Sequence, residues 1–136
     1  MKIRVLNISY RADMGGGPKY LENLLTSLKT QTNIASFACS RGDQEFAHRF
    51  RQLSQDFFPL RKFPWTLLQY FSLRSFLVEN HINVIHTHGR GALLVARLLI
   101  PNHYPLIHTP HGIHTAAGIK GKLKQWLERW AMKRVD

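Results

Sequence analysis

The chain has 136 residues, 44% of them hydrophobic and 11% aromatic, which is typical of one folded domain and excludes a disordered chain. A single cysteine, Cys39, excludes a disulfide framework and favours a reducing compartment. No apolar run approaches the roughly 18 residues of a membrane span, and the N-terminus is unlike a secretory signal, so we expect a cytoplasmic protein. A net charge of +11 favours anionic partners such as phosphates, anionic lipid or nucleic acid.

Short apolar segments alternate with longer segments of helical periodicity along the whole chain. Five strands are predicted, at 3–8, 34–38, 56–60, 82–86 and 105–109. Helices are predicted to begin near Pro18, after Asp43 as N-cap, at Pro64 (running over 64–79), at Gly89 and near Lys120.

Strands that alternate with helices predict a parallel sheet with right-handed crossovers. The expected fold is therefore an open, doubly wound, Rossmann-like α/β sheet. Ligands of such sheets lie outside the carboxyl ends of the strands. This rule directs attention to the three loops 10–17, 86–91 and 109–119.

Three successive glycines, Gly15, Gly16 and Gly17, separate the first strand from the first helix. Glycines allow close backbone approach, and a helix N-terminus attracts anions, so a phosphate or carboxylate is a candidate ligand. The pattern is not GxGxxG. It is not a Walker loop either, because Lys19 is followed by Tyr20. The alternative is a flexible βα turn without a ligand.

Two histidines, His86 and His88, stand at the end of the fourth predicted strand. Because a single residue separates them, their side chains share one face of the strand. A pair of imidazoles can bind a metal. The only nearby carboxylates, Asp13 and Asp43, have no obvious metal spacing, so packing or a polar ligand is favoured over a metal.

The segment from His108 to His114 follows the fifth predicted strand. Gly112 allows a sharp turn or a close approach there. His111 is expected to project towards the cleft, where it can donate a hydrogen bond to a sugar hydroxyl or an oxyanion. A histidine that bonds only to loop backbone is the alternative.

Four stretches together resemble the N-terminal half of the retaining family-4 glycosyltransferases of the GT-B fold: IRVLNISYRADMGGGPKYLENLL, INVIHTHGRGALLVARLL, PLIHTPHGIHT and LERWAMKRVD. The resemblance implies two facing Rossmann-like domains, with the nucleotide-sugar donor held mostly by the C-terminal domain and the acceptor, a glycan or a lipid-linked molecule, mostly by the N-terminal one. It implies sugar transfer with retention, with the nucleotide-sugar as substrate, no cofactor and no required metal.

The resemblance also implies roles for individual residues. Gly15, Gly16 and Gly17 match the loop that approaches the donor diphosphate and the acceptor. His111 matches the histidine that contacts the donor sugar near the reacting centre. His88 and Gly89 match the loop that borders the acceptor pocket.

The chain departs from the family pattern in three respects. It carries no paired-glutamate E-x7-E motif, no second domain and no strand after Asp136. We therefore expect a fragment whose donor site is incomplete and which is inactive by itself.

A basic amphipathic helix is predicted near the C-terminus, with Leu123, Trp126, Leu127 and Trp130 forming its apolar stripe. Such a helix can lie on an anionic membrane, here the inner face, and Trp65, Tyr70 and Phe71 of the 64–79 helix would add to it. The favoured interpretation is that the stripe packs on the sheet and that the charges, including Arg134, are solvated.

Two other functions stay open at this point. One is a metal-dependent hydrolase that uses His86 and His88, which requires bound zinc. The other is a non-catalytic basic module that binds nucleic acid. The chain has no recognisable nucleic-acid motif, so no nucleic-acid partner is expected.

Overall fold

A computed structural model of the chain describes residues 2–112 and 117–136. Five strands form one sheet in which every pairing is parallel, in the order β3-β2-β1-β4-β5. The strands are β1 (Ile3–Ser9), β2 (Ile34–Arg41), β3 (Phe57–Leu60), β4 (Val84–His88) and β5 (Leu106–Thr109). The Rossmann-like α/β fold expected from the sequence is confirmed.

Helices cover both faces of the sheet. They are α1 (Gly16–Leu28), α2 (Glu45–Leu53), a short 3₁₀ helix (Trp65–Gln69), α3 (Tyr70–Glu79), α4 (Arg90–Leu99) and α5 (Gly118–Met132). Leu21 and Leu25 of α1 pack with Phe46 and Phe50 of α2 in one apolar cluster. The larger cluster on the opposite face gathers the apolar residues of α3 and α4 with the buried residues of β1 and β2 that point to that face. Alternation along the strands produces these two apolar faces.

The first two helices begin at other residues than predicted. Helix α1 begins at Gly16, two residues before Pro18. The N-cap of α2 is Gln44 rather than Asp43, because the Asp43 carboxylate accepts hydrogen bonds from Arg41 instead.

The third predicted helix and the fourth predicted strand also differ from the structure. The segment 64–79 is divided into the 3₁₀ helix and α3. Strand β4 begins at Val84 instead of residue 82, because the N–H of Ile82 donates to Leu77 O at the end of the preceding turn. Both His86 and His88 consequently lie within β4.

Helix α5 docks by its C-terminal half. Ala131 is fully buried, and the Trp130 ring packs on the core with the Arg97 guanidinium 4.6 Å from its centroid. Leu123 and Trp126 are 56% and 60% exposed. The expectation that the whole stripe packs on the sheet is therefore wrong for these two residues, because their side chains lie on a face of α5 that no described residue covers.

The expectation that the basic side chains near the C-terminus are all solvated is wrong for Arg134, which is 8% exposed and hydrogen-bonded to backbone carbonyls. Within the described part of the chain, no helix combines the length and the apolar character needed to cross a bilayer.

Candidate functional site

The carboxyl ends of three adjacent strands meet at one edge of the sheet. Ser9 of β1 is paired with His88 of β4, and His88 with Thr109 of β5. Since β2 and β4 lie on opposite sides of β1, the direction of winding reverses between β1 and β4. A cleft of about 740 Å³ opens there, which is the usual position for ligands in such a sheet.

Every residue that the sequence singled out for substrate contact lines this cleft. They are Gly15, Gly16, Gly17, His88, Gly89, His111 and Gly112. His86 lies beside it within β4, and His114 falls outside the residues that the structure describes. Convergence of the glycine loop and His111 on one edge is therefore observed; the roles of these residues stay predictions.

Two helix N-termini face the cleft. Gly16 and Gly17 form the first turn of α1, and Gly89 is the N-cap of α4. The unpaired N–H groups of such turns favour anionic ligands. Gly89 has a φ of +82°, which strains any residue with a side chain. A Cβ on Gly17 would lie 3.5 Å from His111 Cδ2, so this glycine lets the imidazole lie directly against α1.

The imidazoles of His88 and His111 form part of the cleft wall. Their ring centroids are 5.8 Å apart with an interplanar angle of 22°, and the His86 ring is tilted by 44° against His88 at 4.1 Å. Tyr20 of α1 contacts His111 edge to face at 5.1 Å. On the neighbouring strand β1, Asn7 Oδ1 lies 3.3 Å from His88 Nε2. The α1 helix and the ends of β4 and β5 thus fix the orientation of the rings.

Burial keeps these histidines neutral. It lowers the pKa of His88 to about 2, helped by repulsion from neighbouring histidines, and it also lowers the pKa of His86, His108 and His111. Within the described residues, His88 Nδ1 and His111 Nε2 are buried without a hydrogen-bond partner. Asn7 Oδ1 can only accept, so the Nε2 of neutral His88 carries the proton and Nδ1 is left as an acceptor for a hydroxyl.

The arrangement does not favour a metal. His86 Nε2 lies 2.8 Å from Thr109 Oγ1, and His88 Nε2 is shared with Asn7. Across residues 2–112 and 117–136, no group of three or more His, Cys, Asp or Glu side chains could hold an ion. The hydrolase hypothesis based on His86 and His88 thus gains no support from the geometry.

Several cleft residues were missed by the sequence interpretation, chief among them Tyr10, Tyr20, Arg90 and Glu128. Tyr20 lies one helical turn after Gly16, so a correct start for α1 would have placed it on the cleft face. Arg90 Nη2 and Glu128 Oε2 are 2.9 Å apart and join α4 to α5 at the rim. No local signal connects two residues so distant in sequence.

The buried histidines predict a pH dependence of stability. The pKa of His88 is lower in the folded state than in the unfolded chain, so the unfolded chain binds a proton more readily. The free energy of unfolding is therefore greatest above about pH 7 and falls as the pH drops below about 6.5. His88 contributes a slope of up to about 1.4 kcal/mol per pH unit in that range. Urea unfolding at pH 5 to 8 measures it.

His88→Asn is expected to show a shallower slope than the parent. The control is His103→Asn, because His103 is exposed in the loop after α4 and its substitution should leave the slope unchanged. Equal slopes for the parent and His88→Asn would contradict the prediction.

Comparison with known proteins adds two findings. A family model described as Glycosyltransferase Family 4 matches residues 14–136. The fold is similar to that of a dodecameric FMN-dependent UbiX-like decarboxylase from Escherichia coli O157:H7, with 9% identity, a TM-score of 0.55, and coverage of 96% of this chain and 76% of that chain. At this identity the similarity shows the fold alone. No curated protein sequence matches the chain.

Proposed function

The chain belongs to glycosyltransferase family 4, and we propose that it supplies the acceptor-side half of a retaining transfer from a nucleotide-sugar donor to a glycan or lipid-linked acceptor. In this proposal the chain is one of the two facing Rossmann-like halves of a GT-B enzyme. The observation that carries the proposal is the direct packing of His111 against Gly17, which joins the glycine loop and the histidine in one cleft.

In the proposed reaction the bond between the anomeric carbon and the diphosphate breaks, and the diphosphate leaves with the electron pair. The acceptor oxygen bonds to the anomeric carbon on the same face and passes its proton to the departing diphosphate. The sugar passes through an oxocarbenium-like state, so groups that stabilise the positive charge on the sugar and the negative charge on the diphosphate accelerate the step.

Residues of this chain would supply three parts of that stabilisation. The N-termini of α1 and α4 face the cleft and favour the leaving diphosphate. His111, neutral because burial lowers its pKa, would donate a hydrogen bond to the donor sugar. His88 and Gly89 would border the acceptor, and Gly112 would let the backbone after β5 come close to the ligand. No cofactor or metal is part of the proposal.

The proposal assigns most of the donor site to a second domain, which would neutralise the diphosphate with basic side chains and supply paired glutamates. The present sequence contains no E-x7-E pair. The purified chain is therefore expected to transfer no sugar by itself.

The test offers radiolabelled UDP-glucose, UDP-N-acetylglucosamine and GDP-mannose with glycan and lipid acceptors, with and without the separately produced donor-binding domain of another family-4 glycosyltransferase. Transfer is expected only in the mixture. Turnover at ordinary efficiency by the chain alone would refute the division of labour.

Contact with the cytoplasmic face of an anionic membrane is part of the same proposal. Its support is the exposure of Leu123 and Trp126 on α5 beside the exposed lysines Lys122 and Lys124. Flotation with phosphatidylglycerol vesicles, reversed by high salt, is the expected result, and failure to float at low salt would count against it.

A further inference from the structure

A second cavity lies beside the cleft, between α4 and the 3₁₀ helix. It has a volume of about 180 Å³ and an almost wholly apolar lining that includes Phe63, Leu67, Leu94 and Leu98. Apolar protein cavities of roughly 150 Å³ stay free of water and accept a benzene-sized molecule. This apolar pocket can therefore take several carbons of a hydrocarbon chain.

One side chain, Tyr10, forms the wall between the apolar pocket and the cleft. Tyr10 and Gly91 line both. The Tyr10 ring lies so close to α4 that a Cβ on Gly91 would be 3.1 Å from Tyr10 Cβ, and the Tyr10 hydroxyl accepts a hydrogen bond from the Phe63 N–H at 2.7 Å. A ligand with its polar part in the cleft needs to pass only this ring to reach the apolar pocket.

The surface around the apolar pocket combines large apolar and basic side chains. Trp65, Leu68 and Phe71 are 61%, 69% and 78% exposed. The neighbouring Arg61 and Lys62 are also exposed. Aromatic side chains beside basic ones typically contact the headgroup region of anionic lipids. The net charge of the protein is also positive, which favours an anionic lipid.

We propose that the apolar pocket binds the hydrocarbon chain of an anionic lipid whose polar head lies in the cleft. The inference rests on the proposed function and narrows its acceptor to a lipid-linked molecule. An apolar side chain of a partner protein could fill the pocket, but it would make no use of the polar cleft on the other side of Tyr10. The apolar pocket and the polar cleft lie side by side, and this arrangement favours an amphiphile.

The experiment titrates the ¹⁵N-labelled chain with dihexanoyl-phosphatidylglycerol, kept below its micelle concentration, and with glycerophosphoglycerol, the same head without acyl chains. The lipid is expected to bind at least 10-fold more tightly than the free head and to shift the amide signals of Phe63, Leu94 and Leu98. The free head is expected to shift cleft signals only. Dihexanoyl-phosphatidylcholine is expected to bind more weakly than the anionic lipid.

A charged side chain in the apolar pocket tests binding of the lipid's hydrocarbon chain separately from binding of its polar head. Leu98→Glu is expected to reduce affinity for the lipid at least 10-fold and to leave affinity for the free head unchanged. Val78→Glu on α3 is the control, because Val78 is 66% exposed and lines neither the apolar pocket nor the cleft. If Leu98→Glu fails to fold, Leu67→Glu in the 3₁₀ helix repeats the test, because Leu67 also lines the apolar pocket.

The outcomes distinguish this inference from the proposed function. Equal affinities for lipid and free head, absence of binding by either, or a Leu98→Glu variant with unchanged lipid affinity would overturn the pocket assignment. Lipid binding that shifts pocket signals and no cleft signal would keep the pocket and contradict the assignment of the acceptor head to the cleft. Stronger binding of the zwitterionic lipid would overturn the preference for an anionic head.

Discussion

Replacing Arg134 with alanine is expected to lower the free energy of unfolding by about 3 kcal/mol. Arg134 is 8% exposed, and its guanidinium donates to the carbonyls of Ala96, Ile100 and Pro101, at the end of α4 and just beyond it. A helix end leaves its last carbonyls without intrahelical donors, and a cation there also interacts favourably with the helix dipole. Removal of the side chain leaves the Ile100 carbonyl without a donor among the described residues, whereas the carbonyls of Ala96 and Pro101 keep the N–H groups of Ile100 and Tyr104.

The expected loss is smaller than the sum of three charged hydrogen bonds, each about 1.5–3 kcal/mol, for two reasons. Burial lowers the pKa of Arg134, which means that the folded state already bears a desolvation cost that the alanine variant is spared. Water can also enter the space that the side chain vacates. Urea denaturation at pH 7.5 measures the difference.

Two further variants make the Arg134 prediction specific. Arg134→Lys is expected to recover part of the loss, since one ammonium group cannot reproduce the planar fork of the guanidinium. Arg129 is exposed on α5, and Arg129→Ala is expected to change stability by less than about 0.5 kcal/mol. An Arg134→Ala variant as stable as Arg129→Ala would show that the contacts to α4 contribute nothing.

Replacing His111 with alanine is expected to lower sugar transfer about 100-fold or more in the assay with the donor-binding domain supplied. His111 is held between Gly17 and Tyr20, with its Nε2 buried and unbonded among the described residues. A hydrogen bond from this imidazole would hold the donor sugar in the geometry that the transfer requires. The loss should therefore fall on kcat, with little change in the KM of the acceptor.

The control for His111 is His103→Ala. His103 is exposed, and its ring stacks on Tyr104 with centroids 4.4 Å apart, away from the cleft. Its replacement is expected to leave kcat and KM unchanged. Similar unfolding midpoints for both variants would exclude a merely structural loss. A decrease of less than about threefold in kcat for His111→Ala would contradict a role in the reaction step.

Much of the fold could be predicted from local patterns. Branched and apolar segments of four to eight residues indicated all five strands, and the alternation with helices indicated a parallel sheet. Because strand ends of a parallel sheet meet at one edge, the same pattern brought the glycine loop, His88 and His111 into one predicted cleft. The ends of elements were harder: Asp43 is a good N-cap by type, yet Arg41 engages its carboxylate.

The amino-acid sequence by itself determined which residues are apolar, with what period, and therefore the class of fold and the edge at which its polar loops gather. Only the tertiary structure decided which apolar surfaces are covered. Periodicity describes a helix face without reference to its neighbours, so it could not show that Trp130 is packed while Trp126 is exposed, or that Arg134 is buried. The Arg90–Glu128 ion pair and the apolar pocket beside Tyr10 likewise depend on residues that are distant in sequence and meet only when the chain is packed.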